Sequence, residues 1–353
     1  MALAAVLACS YGAFAASNDI KLEEIEGGYV GLWVPQPPLD EISPVQRALL
    51  KKRTADRKSS LTPLNSAAAT GPQPYHFFPQ AGTLWQDLFI NNFVDLDPST
   101  GILDFDCTNF TYDGHGGIDS QFGWFREMAI GIPIFAALDG TVIDLHDGEF
   151  DMNTTPCTGC PVNYVTLDHG GGHVTRYQHL KKNSISVSLN QFVPAGTQLG
   201  LTGSSGSSTA PHLHLFSIFN GQIFEPFAGA CRPGASNWVN QVPIRRDTYV
   251  RDFYFSNTVP DNETDTRVGS FVMQNSWKLV WFRIFLANVP AGYYHVKYQR
   301  PDDVYVVDYT GTISQAFRLG EWYFSFYLNL NMAGTWRMLF EVNGQTIADA
   351  PSM

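Results

Sequence analysis

Pro211-His212-Leu213-His214-Leu215-Phe216 is the stretch from which the rest of the chain can be read. It is short, apolar and strand-like. Side chains two apart on a strand share a face, so His212 and His214 present two imidazoles into one cleft. Just before it, Thr202-Gly203-Ser204-Ser205-Gly206-Ser207-Ser208-Thr209 is a Gly/Ser loop that reads as a turn rather than a helix.

Outward from this strand the same signals recur. Asp139-Gly140 separates Ile132–Leu138 from Thr141–Leu145, which predicts a hairpin. Tyr164–Leu167 and Val174–Leu180 flank Gly170-Gly171-Gly172 and predict a second. A third is expected to begin near Phe192–Gly200. Long amphipathic helix patterns are absent, so residues 76–235 read as one antiparallel β domain. Arg232 to Pro243 marks a boundary. After it, Tyr249–Phe255, Lys278–Phe285, Tyr293–Tyr298, Trp322–Leu328 and Gly334–Val342 are strand-like runs between turns, and Asn343-Gly344 makes a further hairpin turn. The fold class expected is all-β: an antiparallel β-sheet domain followed by an immunoglobulin-like β-sandwich over residues 243–353.

The N-terminal part is simpler. Residues 1–15 are almost entirely apolar, too short to span a bilayer, and end in Ala13-Phe14-Ala15, the small-x-small pattern of a signal peptide. No other stretch reads as a transmembrane helix, and the expectation is an exported protein, periplasmic or extracellular. Residues 16–75 read as a low-complexity segment and linker. Within it Tyr29–Val34 offers one strand. Ser43–Leu50 offers a short helix, with Ser43 as N-cap and Pro44 in the first turn.

Composition bounds the function. A formal net charge of −11 argues against nucleic acid, whose phosphates need a basic face. With Cys9 in the signal, Cys107, Cys157, Cys160 and Cys231 remain. An even count in an exported chain suggests disulfides, in any of three connectivities. Cys157 and Cys160 are near enough to close a small loop, which would leave Cys107 for Cys231.

Eight of the nine histidines fall in the first β domain: His76, His115, His146, His169, His173, His179, His212 and His214. Neutral imidazole binds zinc well, commonly beside a carboxylate. His115 and Asp119 are separated by three residues, two of them glycines, so both can turn toward one ion, and the later pair supplies a third ligand. His169 and His173 could be a second metal pair. The triple glycine between them disfavours the helix that would align them, and a hairpin turn explains it.

His115-x-Gly117-x-Asp119, Tyr177-Gln178-His179-Leu180 and Ser208-Thr209-Ala210-Pro211-His212-Leu213-His214, in that order, resemble the lysostaphin-type (LytM-like) zinc metalloendopeptidases of bacterial cell walls. The resemblance covers roughly residues 110 to 228. It implies one Zn2+ per chain bound by His115, Asp119 and His214, with His179 and His212 flanking the metal as catalytic groups. It is the resemblance, not the spacing, that selects His214 over His212 as ligand. It further implies hydrolysis of peptide bonds in peptidoglycan stem peptides or cross-bridges, with peptidoglycan peptides as the partner. Two alternatives are a non-catalytic wall-binding or amidase-regulating module of the same fold, and a protease acting on secreted glycine-rich protein. Residues 120–131 and the CxxC-bearing insert 147–161 depart from the family pattern and would reshape the substrate groove.

Overall fold

The computed structural model describes residues 22–33, 52, 71–259 and 267–352. The signal segment and the helix expected over Ser43–Leu50 lie outside the described residues.

An N-terminal hairpin, β1 (Glu23–Ile25) and β2 (Gly28–Trp33), comes first. The next part of the chain contains β3 (Phe89–Asn92), β4 (Ile118–Gln121), the short helix α1 (Phe125–Ile130), β5 (Pro133–Phe135), β6 (Gly140–His146), β7 (Tyr164–Asp168) and β8 (His173–Gln178). It continues through β9 (Phe192–Val193), β10 (Gln198–Leu201), β11 (His212–Phe219) and β12 (Gln222–Ile223). Last come β13 (Tyr249–Ser256), β14 (Trp277–Val289), β15 (Gly292–Gln299), β16 (Tyr305–Ile313), β17 (Phe317–Asn329), β18 (Trp336–Val342) and β19 (Gln345–Ser352). All pairings between these strands are antiparallel.

The sheet that carries the histidines has eight strands, ordered β3-β4-β11-β8-β7-β6-β9, with β12 also paired to β11. β11 is central, and every residue from His212 to Ile218 is buried. Leu213 and Leu215 enter a core that also holds Ile90, Ile118, Val165, Leu167 and Tyr177. Alternation therefore sends the leucines one way and the histidines the other.

The hairpin expected between β7 and β8 is present, and its turn places Gly170, Gly171 and Gly172 all at positive φ, where glycine is unstrained. The other two hairpin expectations need correction. Asp139-Gly140 does not join a paired hairpin: β5 pairs with β10 in a separate two-stranded sheet, whereas β6 pairs with β7 and β9. The segment at Phe192–Gly200 is likewise divided, β9 going to one sheet and β10 to the other. A turn signal marks a reversal of the chain. It does not specify which strand the reversed chain will meet.

The C-terminal strands, joined by β1 and β2, form two further antiparallel sheets, ordered β1-β2-β17-β14-β13 and β16-β15-β18-β19. They share one core built from Phe282, Ile284, Trp322, Phe324, Val296, Tyr298 and Phe340. At Asn343 and Gly344 the chain takes positive φ at both central turn residues and hands β18 to β19, as Asn-Gly turns do. The strand expected at Tyr29–Val34 is β2, and it pairs with β17 from Gly28 to Trp33. A segment that reads as part of a linker thus contributes to the C-terminal sheet.

The two parts of the chain are packed together. Phe122, Trp124, Phe125 and Met128 form one buried cluster with Tyr254 and Phe285. Arg251 donates to the Phe122 carbonyl at 2.7 Å, and Arg246 is ion-paired with Asp106. Cys107–Cys231 and Cys157–Cys160 are disulfide-bonded, the pairing that sequence spacing favours.

Candidate metal centre

The pairing of β4 with β11 sets the site. His214 lies opposite Asp119, and His212 lies opposite Gln121. On its other side β11 pairs with β8, where His214 faces Gln178, so the next residue, His179, arrives at the same end of the sheet. His179 is in the left-handed region at φ 61°, unusual for a residue with a Cβ. That backbone turns the chain out of β8. It leaves the imidazole beside His212, with ring centroids 4.4 Å apart.

His115 comes from the loop before β4. Its Nε2 is 3.2 Å from Asp119 Oδ2 and 3.3 Å from His214 Nδ1, while His214 Nδ1 is 2.7 Å from Asp119 Oδ1. The three side chains are at most 3% exposed. One ligand atom from each lies within 4.8 Å of the others, so these residues form a three-residue metal-binding cluster. Gly117 makes the close approach feasible: a Cβ there would stand 2.3 Å from His214 Nε2.

Backbone carbonyls fix the imidazoles. His115 Nδ1 faces the Phe93 carbonyl at 2.6 Å, His179 Nδ1 faces that of Ser205 at 2.6 Å, and His212 Nδ1 faces that of Ala210 at 2.7 Å. A carbonyl only accepts, so each Nδ1 carries a proton, and Nε2 is the nitrogen turned toward the centre. His212 Nε2 is 3.7 Å from Asp119 Oδ1. Asn92 donates to Asp119 Oδ2 at 2.8 Å, orienting the carboxylate. Asn92 and the three carbonyls have no sequence signature, because any residue can supply a carbonyl and Asn92 sits 27 positions from its partner.

The insert 147–161 supports the same site. Asn153 donates to the Gly206 carbonyl at 2.9 Å and Ser204 Oγ donates to the Asn153 carbonyl at 2.6 Å. Within the disulfide loop, Cys157 N donates to Ser207 Oγ at 3.2 Å. The insert therefore holds the loop whose Ser205 carbonyl holds His179.

His169 and His173 are at a distance from this centre and have other partners. The Gln73 N–H donates to His173 Nδ1 at 3.1 Å, and His173 Nε2 meets Tyr75 Oη at 2.8 Å. His169 bonds to the Asp139 carbonyl and to Thr175 Oγ1, both at 2.8 Å. With all four ring nitrogens engaged, no lone pair is left over for a second metal. Burial pushes His169 down to about 4 and, with His169 beside it, His173 down to about 3, so both are neutral.

Residues 114–226 match the model of Peptidase family M23. The M23 likeness falls on the span that carries the three-residue cluster. Over 95 residues the chain is 38% identical to peptidoglycan DD-endopeptidase ShyA of Vibrio cholerae serotype O1, covering 27% of this chain and 19% of that protein. It is 31% identical over 106 residues to lysostaphin of Staphylococcus staphylolyticus, covering 30% and 20%. The catalytic domain of lysostaphin from Staphylococcus simulans superposes with a TM-score of 0.26 at 22% identity, over 40% of this chain and 89% of that one. The chain spans only about a fifth of the length of the curated relatives ShyA and lysostaphin. All five candidate residues lie inside the M23 span.

Proposed function

We propose that this protein is an exported zinc metalloendopeptidase that hydrolyses peptide bonds in peptidoglycan stem peptides or cross-bridges. The convergence of His115, Asp119 and His214 within an M23 span is the observation that carries the reading. Relatives described as peptidoglycan endopeptidases support the substrate class. Among the described residues no helix is long and apolar enough to cross a membrane.

The donor set fits zinc. Ligand atoms about 2.0–2.2 Å from a tetrahedral ion stand roughly 3.3–3.6 Å apart. The His115–Asp119 and His115–His214 separations of 3.2 and 3.3 Å are close to that spacing, and the 2.7 Å between His214 Nδ1 and Asp119 Oδ1 is shorter than it. His115 would bind through Nε2, Asp119 through its carboxylate and His214 through Nδ1. One carboxylate and two neutral rings leave a dication with net positive charge, and bound there it would lower the pKa of a coordinated water and polarise the scissile carbonyl. His179 and His212 act from the adjacent side. Their carbonyl-held Nδ1–H groups keep each Nε2 available to accept a proton, and once protonated the same nitrogen donates to a developing oxyanion or a leaving amine. Burial of both rings keeps those hydrogen bonds strong.

The boundaries proposed are a signal peptide at 1–15, the peptidase domain at 76–235 and an immunoglobulin-like sandwich from 243 to 353. The strand orders of the two C-terminal sheets, with consecutive strands shared between them around one core, support the sandwich. β2 would then be an addition to its edge. Trp277 and Tyr327, exposed on that domain, are suited to contact the cell wall.

Digestion of purified murein with and without a chelator tests the proposal. Chelator-sensitive release of soluble fragments, restored by zinc, is expected. Murein left intact by zinc-loaded protein would favour the regulatory module, and cleavage confined to glycine-rich peptides would favour the third reading.

A further inference from the structure

Arg318, the second residue of β17, reaches out of the C-terminal sheet to the edge of the histidine-bearing sheet. Its Nη2 donates to the Ile90 carbonyl at 2.9 Å, and its Nη1 bonds to Asn288 Oδ1. The guanidinium lies 3.8 Å from the ring centroid of Phe110 and 4.5 Å from that of Phe89. Ile90 belongs to β3, the edge strand, which among the described residues has β4 on one side and no strand on the other. An edge leaves backbone groups without ladder partners, and Arg318 satisfies one of them.

The point of attachment matters because the residues just after it reach the metal centre. The β3–β4 pairing slips between Ile90, opposite Ser120, and Asn92, opposite Asp119. Such a bulge re-aims the side chains beyond it. Here Asn92 and Phe93 orient two of the three cluster residues. Asn92 Nδ2 donates to Asp119 at 2.8 Å, and the Phe93 carbonyl receives His115 Nδ1 at 2.6 Å. Phe93 is also braced from the Arg318 side, its N–H donating to the Phe110 carbonyl at 2.8 Å, and Phe110 is the ring under the guanidinium.

We propose that Arg318 is a positioning residue for the metal centre, anchoring the β3 bulge that aims Asn92 at Asp119 and the Phe93 carbonyl at His115. The C-terminal part of the chain then completes the metal site rather than being appended to it. This rests on reading the cluster as a zinc site.

The test is zinc affinity of the full chain, measured by competition with a chromophoric chelator, alongside the melting temperature of each metal-free variant. Loss of groups that orient metal ligands typically weakens affinity about 10–100-fold. Arg318→Met is expected to raise the zinc Kd by about tenfold or more, as is Asn92→Ala. Arg318→Lys keeps the charge but cannot bridge Ile90 and Asn288 with a planar fork, and is expected to fall between Arg318→Met and wild type. Val296→Ala, in the C-terminal core, should lower the melting temperature and leave Kd unchanged. If Arg318→Met does not fold, Arg318→Lys against Val296→Ala decides the matter. Unchanged zinc Kd in the Arg318 variants, with a wild type that binds zinc, overturns this inference alone. A wild type that binds no zinc overturns the metal reading and this inference with it.

Discussion

Asp119 stands directly across the β4–β11 pairing from His214, with 2.7 Å between Oδ1 and Nδ1. Two residues 95 positions apart are brought together by strand register alone. A shift of one residue would turn His214 to the leucine core and Leu213 or Leu215 to the cluster. The metal centre is therefore a property of the sheet, and perturbations of the sheet at that register should be read out as metal loss.

Gly117→Ala tests that. The added methyl would meet His214 Nε2 at 2.3 Å, a distance no Cβ adopts, so the ring must move. Zinc affinity is expected to fall at least about tenfold, by the scale for misplaced ligands. Wild-type zinc affinity in the Gly117→Ala variant would mean the imidazole has more room than the geometry gives it.

Removing the flanking rings should separate binding from chemistry. His179→Ala and His212→Ala are each expected to retain zinc while kcat falls about 10²–10⁴-fold, the usual scale for a general acid or base. Steady-state kinetics on zinc-loaded variants would show this. A loss of zinc in His212→Ala, with retention in His214→Ala, would exchange the two roles.

The pH dependence of stability should carry the mark of His173. Its folded pKa is drawn down to about 3 by burial, so the native state holds it neutral. The unfolded chain takes up a proton below about 6.5, so the contribution is complete above that pH and is lost as pH falls through the window from 6.5 to 3. At pH 5 this one group costs about 2 kcal/mol. Denaturant melts at about pH 7.5 and pH 5 should show the loss, and His173→Gln should reduce it. Equal pH slopes in the two proteins would show that His173 is not the group responsible.

The Cys157–Cys160 loop should matter to turnover rather than to metal binding. It bonds to Ser207 in the loop that holds His179, whereas Asp119 and His115 of the three-residue cluster are held by Asn92 and the Phe93 carbonyl. Cys157→Ser/Cys160→Ser is expected to lower kcat by about tenfold through misplacement of that ring, with zinc content unchanged. Unaltered kcat would show that the loop's position does not depend on the disulfide.

The parts of this site legible in the sequence are those where side-chain identity and local spacing suffice. His212 and His214 share a face because strands have a period of two, and His115 and Asp119 share a glycine-rich loop entering β4. The order of the three motifs then joins residues that no periodicity links. What stayed hidden is what the chain assembles at long range. The Phe93, Ser205 and Ala210 carbonyls that set the tautomers carry no residue signature. Asp139-Gly140 has the composition of a hairpin turn, yet β5 and β6 part there, one to pair with β10 and the other with β7 and β9. β2 was legible as a strand. Its partner, β17, lies almost three hundred residues away, and a short strand with two glycines says nothing of which edge it will cover.

The most direct test is the zinc content of gently purified protein, wild type against Asp119→Ala, by elemental analysis with protein concentration measured independently. About one zinc per wild-type chain is predicted, and well under about a tenth of that in Asp119→Ala. Zinc far below one per chain in a wild type resupplied with the metal, or full zinc in Asp119→Ala, would contradict the assignment of the cluster as a zinc centre.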